Sequence, residues 1–307
     1  MPDRKLAAHL ALFVVNLIYG INYPIAKSLM PGVVGPSGFI LLRVLGAGLL
    51  FWACKTVWPQ RVDRSDIIRF VLCALTGVAI NQLFFFHGLM RTSPINASII
   101  MVATPILVLV LSAVLIGERV TWMKVSGVVA GAAGAITLLL NSDATDTGAT
   151  LKGDLFILLN ATSYALYLVM VKPLMRKYSA ITVMSWCFLI GSIVVVPFGL
   201  SEAHAVEWRQ LDLNAIWKLV FVVIGVTFIA YLLNTWALRH VEPSVVGIYI
   251  YMQPVLAVSV TWLAMQLPWL GDGSTGRALG FGTAQFISTV LIFLGVYLVG
   301  RADAKRS

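Results

Sequence analysis

The sequence predicts an all-α integral membrane protein of ten transmembrane helices, arranged as two inverted five-helix repeats. Three observations carry this expectation. Apolar side chains make up 59% of the 307 residues and charged ones only 11%, with a mean hydropathy of +0.91. No soluble domain of this length encloses so much apolar side chain, so its solvent is lipid. Apolar windows long enough to cross roughly 30 Å of hydrocarbon recur about ten times. Finally, one pattern of tyrosine, lysine and two prolines returns in the same order in both halves.

The spans read as 8–29, 36–57, 67–90, 94–116, 122–140, 154–173, 181–200, 215–238, 244–266 and 280–300. The first follows MPDRK and resembles a signal peptide. It lacks a small-x-small cleavage site and runs on to about Met30, which makes it a retained helix. Ser93 before Pro94 reads as an N-cap followed by proline at the first helical position of the fourth span. Gly127, Gly131 and Gly134 on the fifth match the small-residue pattern that lets helices approach closely, inside the bundle or in a homodimer. Trp58, Trp122, Trp217 and Trp269 fall near span ends, where indole rings anchor at the interface. Of the 22 Lys and Arg residues, Lys27, Arg91, Lys152, Arg209, Lys218 and Arg277 lie on one side and Arg43 inside the second span. The remaining 15 lie on the side of the termini, so both termini are expected in the cytoplasm of an inner-membrane protein. The domain reading is 1–140 for the first repeat, 141–153 for an external linker, and 154–307 for a second repeat with an insertion near 268–279.

The repeat is concrete. Tyr19 and Lys27 fall on Tyr164 and Lys172 at one constant offset. Arg91-Thr-Ser-Pro94 matches Arg239-His-Val-Glu-Pro243, and each runs into a helix with a central proline, Pro105 and Pro254, at the same spacing. Gly134-Ala-Ile-Thr in the fifth span is similar to Gly295-Val-Tyr-Leu in the tenth. Five spans per unit is an odd number, so the second unit sits upside down relative to the first. Such inverted repeats are a transporter signature, because two similar units exchange conformations about a shared site.

Three segments resemble the drug/metabolite transporter superfamily, in particular its EamA-type members with ten helices. Tyr19-Gly-Ile-Asn-Tyr-Pro-Ile-Ala-Lys27 is similar to the first-helix motif, with tyrosine where tryptophan is common. Leu41-Leu-Arg43 matches the second-helix arginine, and Pro105 with Leu115-Ile-Gly-Glu-Arg119 matches the proline and Gly-Glu of the fourth helix. The second half departs, with Ala264-Met-Gln266 where Gly-Glu is expected, followed by PWLGDGSTGRAL. No role that needs a symmetric pair of glutamates is therefore carried over. The resemblance implies export or exchange of small metabolites, often amino acids, across the bacterial cytoplasmic membrane.

Polar residues inside the spans are costly facing lipid and so face a cavity or one another. At about 100° per residue, Asn16, Tyr19, Tyr23 and Lys27 form one stripe of the first helix, with Asn22 beside it. Asn160, Ser163, Tyr164 and Tyr167 form a second, and Thr227, Tyr231 and Asn234 a third. Tyr249 and Gln253 share a face of the ninth helix, and Asn81 and Gln82 sit mid-depth in the third. Two readings fit these stripes: the lining of a central solute path, or hydrogen bonds between helices. Pro105 and Pro254 free carbonyls near Met101 and Ile250, for a ligand or merely as kinks. Lys27 and Arg43 either attract a substrate anion or snorkel to headgroups. Glu118-Arg119 reads as a cytoplasmic ion pair with a loop arginine.

The functional expectation is a carrier that moves amphipathic solutes, amino acids among them, by alternating access. Efflux of cationic drugs is the competing reading, with a membrane-embedded enzyme or a lipid scramblase behind it. The net charge of +9 belongs to the cytoplasmic loops and points to no nucleic acid. Cys54, Cys73 and Cys187 are too scattered for a metal site or a disulfide framework, and no cofactor motif is present. No nucleophile–base set or carboxylate pair marks an enzyme. All 13 carboxylates fall in loops, tails or helix edges on these spans, so the expected flux follows the solute's own gradient, as a facilitator or exchanger. The expected partners are the solute and the bilayer, with a monomer or homodimer as the assembly.

Overall fold

The computed structural model describes residues 2–30, 32–92, 97, 100–140, 150–256, 259 and 283–304, with the side chains of 2, 3, 23, 24, 27, 138–140 and 283–285 left out of that description. Within it the helices are α1 (Pro2–Leu29), α2 (Pro36–Val57), α3 (Arg64–Leu89), α4 (Ala103–Ile116) and α5 (Trp122–Leu140), followed by α6 (Leu151–Lys177), α7 (Ala180–His204), α8 (Leu213–Ala237), α9 (Pro243–Leu256) and α10 (Thr283–Ala304). There is no strand among the described residues. Seven of these helices are long and apolar enough to cross a membrane, while α4 and α9 are shorter and adjoin residues outside the description. Large apolar side chains such as Leu49, Ile68, Val114, Ile193 and Phe286 are exposed on the outer faces, as a lipid-solvated surface requires.

The helix ends follow local chemistry. Thr150, Ser179 and Asp212 each accept a hydrogen bond from the backbone N–H three residues on, capping α6, α7 and α8. Pro243 occupies the first turn of α9, where its missing N–H costs nothing. The matching Ser93-Pro94 reading lies outside the described residues. Gly117 ends α4 with φ +68, and this left-handed turn sends the Glu118 N–H back to the Ser112 carbonyl at 3.0 Å. Several helices outrun the expected spans: α1 starts at Pro2, α6 continues through Pro173 to Lys177, and α7 continues through Pro197 to His204.

The halves interlock. Across them, α2 packs on α7, α4 on α9, α5 on α10, α1 on α8 and α3 on α6, while α4 also packs on α6 and α1 on α9. Exchanging each helix for its counterpart five places along maps this set of pairs onto itself. The α5–α10 pair is a close approach of backbones. A Cβ on Gly127 would meet the Gly295 carbonyl, and one on Gly134 would meet the Ser288 carbonyl. Gly131 makes room for the Tyr251 ring. The small face of α5 is thus occupied inside the bundle.

Candidate functional site

Two helices carry a widened turn at corresponding places. In α3 the segment Leu75–Ala79 is π-helical, with the Ile80 N–H reaching back five residues to Leu75. In α8 the segment Val222–Ile229 is π-helical, with Ala230 reaching Gly225. A π turn dislocates the regular ladder and aims carbonyls sideways, and around α3 those carbonyls are taken by side chains from the other half. Ser163 donates to Thr76 O at 2.8 Å, and Tyr231 to Gly77 O at 3.4 Å. One turn on, Asn160 donates to Asn81 O at 2.7 Å. In α8, Thr227 donates to Val222 O five residues back, at 2.8 Å.

Thr227 also ties in the intramembrane cation. Arg43 donates through Nε to Thr227 Oγ1 at 3.0 Å, joining α2 to α8. Its guanidinium carbon lies 5.6 Å from the Phe39 ring centroid and 5.2 Å from that of Phe86. The side chain is buried, and among the described residues no carboxylate comes within ion-pair distance. Tyr231 and Tyr19 lie near it. One turn before Phe86 on α3, both amide atoms of buried Gln82 lack hydrogen-bond partners, and Oδ1 of Asn22 on α1 and Oδ1 of Asn160 on α6 are likewise enclosed and unpartnered.

The other sequence candidates sort by partner. Asn16 accepts from Gln253 at 3.1 Å and returns its own amide to Leu12 O, so this pair links α1 to α9. Tyr249 shares the same two helices, with its hydroxyl 2.9 Å from His9 Nδ1. Asn234 donates to the Tyr164 hydroxyl at 3.1 Å. Tyr167 is fully enclosed in the core, its hydroxyl 2.8 Å from Thr235 Oγ1 and its ring against Gly77. Asn81 contributes its backbone carbonyl, and its side chain is half-buried. Tyr23 and Lys27 lie on α1, but their side chains are outside the description, as are Trp269 and the Ala264-Met-Gln266 segment. Pro105 follows a break at Val102, and Pro254 follows a 3₁₀ turn at Tyr249–Tyr251. The two interruptions meet, because Tyr251 donates to Val102 O at 2.9 Å.

One expectation is corrected. Glu118 pairs with Lys124, not with a loop arginine. The cause is the Gly117 turn, which points Glu118 inward, where both side chains are fully enclosed and Ser244 of α9 donates to the same oxygen, Oε1. Beside this pair Lys172 donates to Val241 O at 2.6 Å and lies 3.9 Å from Glu242. Lys5 stands 3.4 Å from Asp303, and Lys177 2.9 Å from Asp66, to which Tyr178 also donates at 2.8 Å. Of these, the Ser244–Glu118 and Lys5–Asp303 links and those of Asp66 to Lys177 and Tyr178 tie the two halves together at the end that bears the termini. Sequence reasoning also missed Phe39 and Phe86 as supports for Arg43; the i−4 spacing of Phe39 to Arg43 on α2 was a signal for the first, and nothing in the sequence pointed to Phe86 across on α3. No group of three metal-ligating side chains occurs among the described residues.

Comparison with known proteins gives this arrangement its context. The EamA-like transporter family model matches residues 6–140 and again 151–268. An Archaeoglobus fulgidus protein described as an uncharacterized transporter is 27% identical over 87% of this chain and 90% of its own. A probable terminal-alkyne amino-acid exporter of Streptantibioticus cattleyicolor is 22% identical over 92% of each chain. The WAT1-related protein At3g53210 of Arabidopsis thaliana is 24% identical over 97% of this chain and 86% of its own. A protein of known crystal structure superposes with a TM-score of 0.76 at 21% identity, spanning 98% of both chains, which establishes the likeness of fold. With the family matched across both halves of a helical, lipid-solvated bundle, the chain is a multi-pass membrane protein of the EamA-like transporter family.

Proposed function

We propose that the protein carries small amphipathic metabolites, amino acids among them, outward across the cytoplasmic membrane by alternating access. In this reading ten helices form two inverted five-helix repeats, both termini are cytoplasmic, and the solute passes between α1, α2, α3, α6 and α8. The observation that carries it is Gln82, whose two buried amide atoms both lack partners three residues past the π turn of α3. An amide buried with neither its donor nor its acceptor used is costly in a bundle held by hydrogen bonds alone, and a cargo that bonds both supplies the missing partners. The twofold match to the family and the pairing pattern that maps onto itself support the repeat. The ion pairs at the termini fit a state closed on the cytoplasmic side. Export is favoured by the exporter among the relatives.

The test is uptake and counterflow in proteoliposomes with a panel of amino acids, organic acids and cationic dyes. Counterflow of amino or organic acids, without concentration under an imposed pH or sodium gradient, is expected of a facilitator or exchanger. Selective flux of cationic dyes would replace this reading with drug efflux, and absence of any flux would end it.

A further inference from the structure

We infer that Arg43 is the anchor for the carboxylate of the transported solute, held by its two terminal nitrogens in a bidentate pair. This rests on the transport reading and adds the chemical class of the cargo. Arg43 lies seven residues into α2 from Pro36, about 10 Å below that end of the helix at 1.5 Å per residue. At 5% exposure it does not reach headgroups, so snorkelling does not explain it. A guanidinium enclosed without an acid is unfavourable unless another anion completes it. Its Nε is committed to Thr227, whose own proton goes to Val222 O in the π turn. The rings of Phe39 and Phe86 support the cation without supplying a hydrogen-bond acceptor for its N–H groups. What remains is the Nη1–Nη2 edge, which has no acceptor among the described residues and whose parallel N–H groups match the two oxygens of a carboxylate. One helical turn from Phe86 on α3, Gln82 offers an unused donor and an unused acceptor for a second polar group of the same solute. A basic anchor with no buried acid beside it selects anions and rejects cationic drugs.

The test uses the full chain in detergent and in vesicles. Binding is read as thermal stabilisation by the 20 common amino acids and a set of aromatic and aliphatic monocarboxylates, each matched with its primary amide. Stabilisation by carboxylates and not by their amides is expected. Arg43→Lys keeps the charge but loses the paired geometry, so carboxylate affinity should fall about tenfold, the worth of one charge-assisted hydrogen bond. Arg43→Gln should abolish the preference. If it fails to fold, Thr227→Val, which frees Nε and unfixes the guanidinium, should weaken carboxylate binding in a folded protein. Stabilisation by amides equal to that by carboxylates, no stabilisation by any carboxylate, or Arg43→Lys within twofold of wild type would each overturn the inference. Counterflow in phosphatidylcholine vesicles, with and without anionic lipid, separates a free solute from a lipid headgroup: competition by anionic lipid alone would also overturn it. Carboxylate binding without counterflow would remove the transport reading and leave the anion site, while counterflow blind to the carboxylate would do the reverse.

Discussion

Replacing Glu118 with alanine should be among the most destabilising single changes in the chain. Its carboxylate and the Lys124 ammonium are each fully enclosed, and the same carboxylate oxygen accepts from Ser244 on α9. Removing the acid leaves a buried ammonium with no counter-charge, a defect that costs about 3–5 kcal/mol in enclosed ion pairs. Loss of the Ser244 acceptor adds about 1 kcal/mol. The pair itself is worth far less than its breakage, because both ions were desolvated to form it. Glu118→Leu combined with Lys124→Met should therefore recover most of the loss. The assay is denaturation of purified protein in detergent, by melting and by SDS titration, for wild type, both single variants and the double variant. A Glu118→Ala variant within about 1 kcal/mol of wild type, or a double variant as damaged as the two singles together, would refute the argument that the pair is dry.

Other consequences are checked more directly. Gly77→Ala places a methyl group against the Tyr167 ring inside the α3–α6 contact, and should cost about 1–3 kcal/mol of stability by the same denaturation assay. Gly295→Val should lower folded yield more severely, because its neighbour is the backbone of Gly127 and cannot move aside as a side chain does; size-exclusion profiles in detergent report this. Asn234→Ala, which releases Tyr164, should impair solute flux in proteoliposomes with the melting temperature nearly unchanged; equal loss of both would make the pair a packing contact. Lys152→Cys in a cysteine-free background should react with an impermeant thiol reagent in intact cells, since it is exposed at the end of α6 opposite Lys177. Reaction only after permeabilisation would invert the orientation.

The sequence by itself determined the solvent, the helical class and the faces on which polar residues lie. Those follow from composition and from a 100° period, both local properties of the chain. It also placed the start of α9 to within a residue of Pro243, because proline at the first turn is a backbone constraint that one residue imposes. Partner choice was decided by tertiary structure alone. The stripe that contains Tyr164 and Tyr167 is continuous in sequence, yet Tyr164 meets Asn234 while Tyr167 is sealed in the core against Thr235. Periodicity gives the azimuth of a side chain and says nothing of what stands opposite. The π turns were equally hidden, since α3 and α8 carry ordinary apolar sequences there and the widened ladder leans on groups from other helices, Ser163, Tyr231 and Arg43. Glu118 shows the same limit in one residue. Its charge assigned it to a loop at the surface, but the left-handed turn at Gly117 and the approach of α9 enclosed it, and an ion pair is buried only where three separate segments close over it.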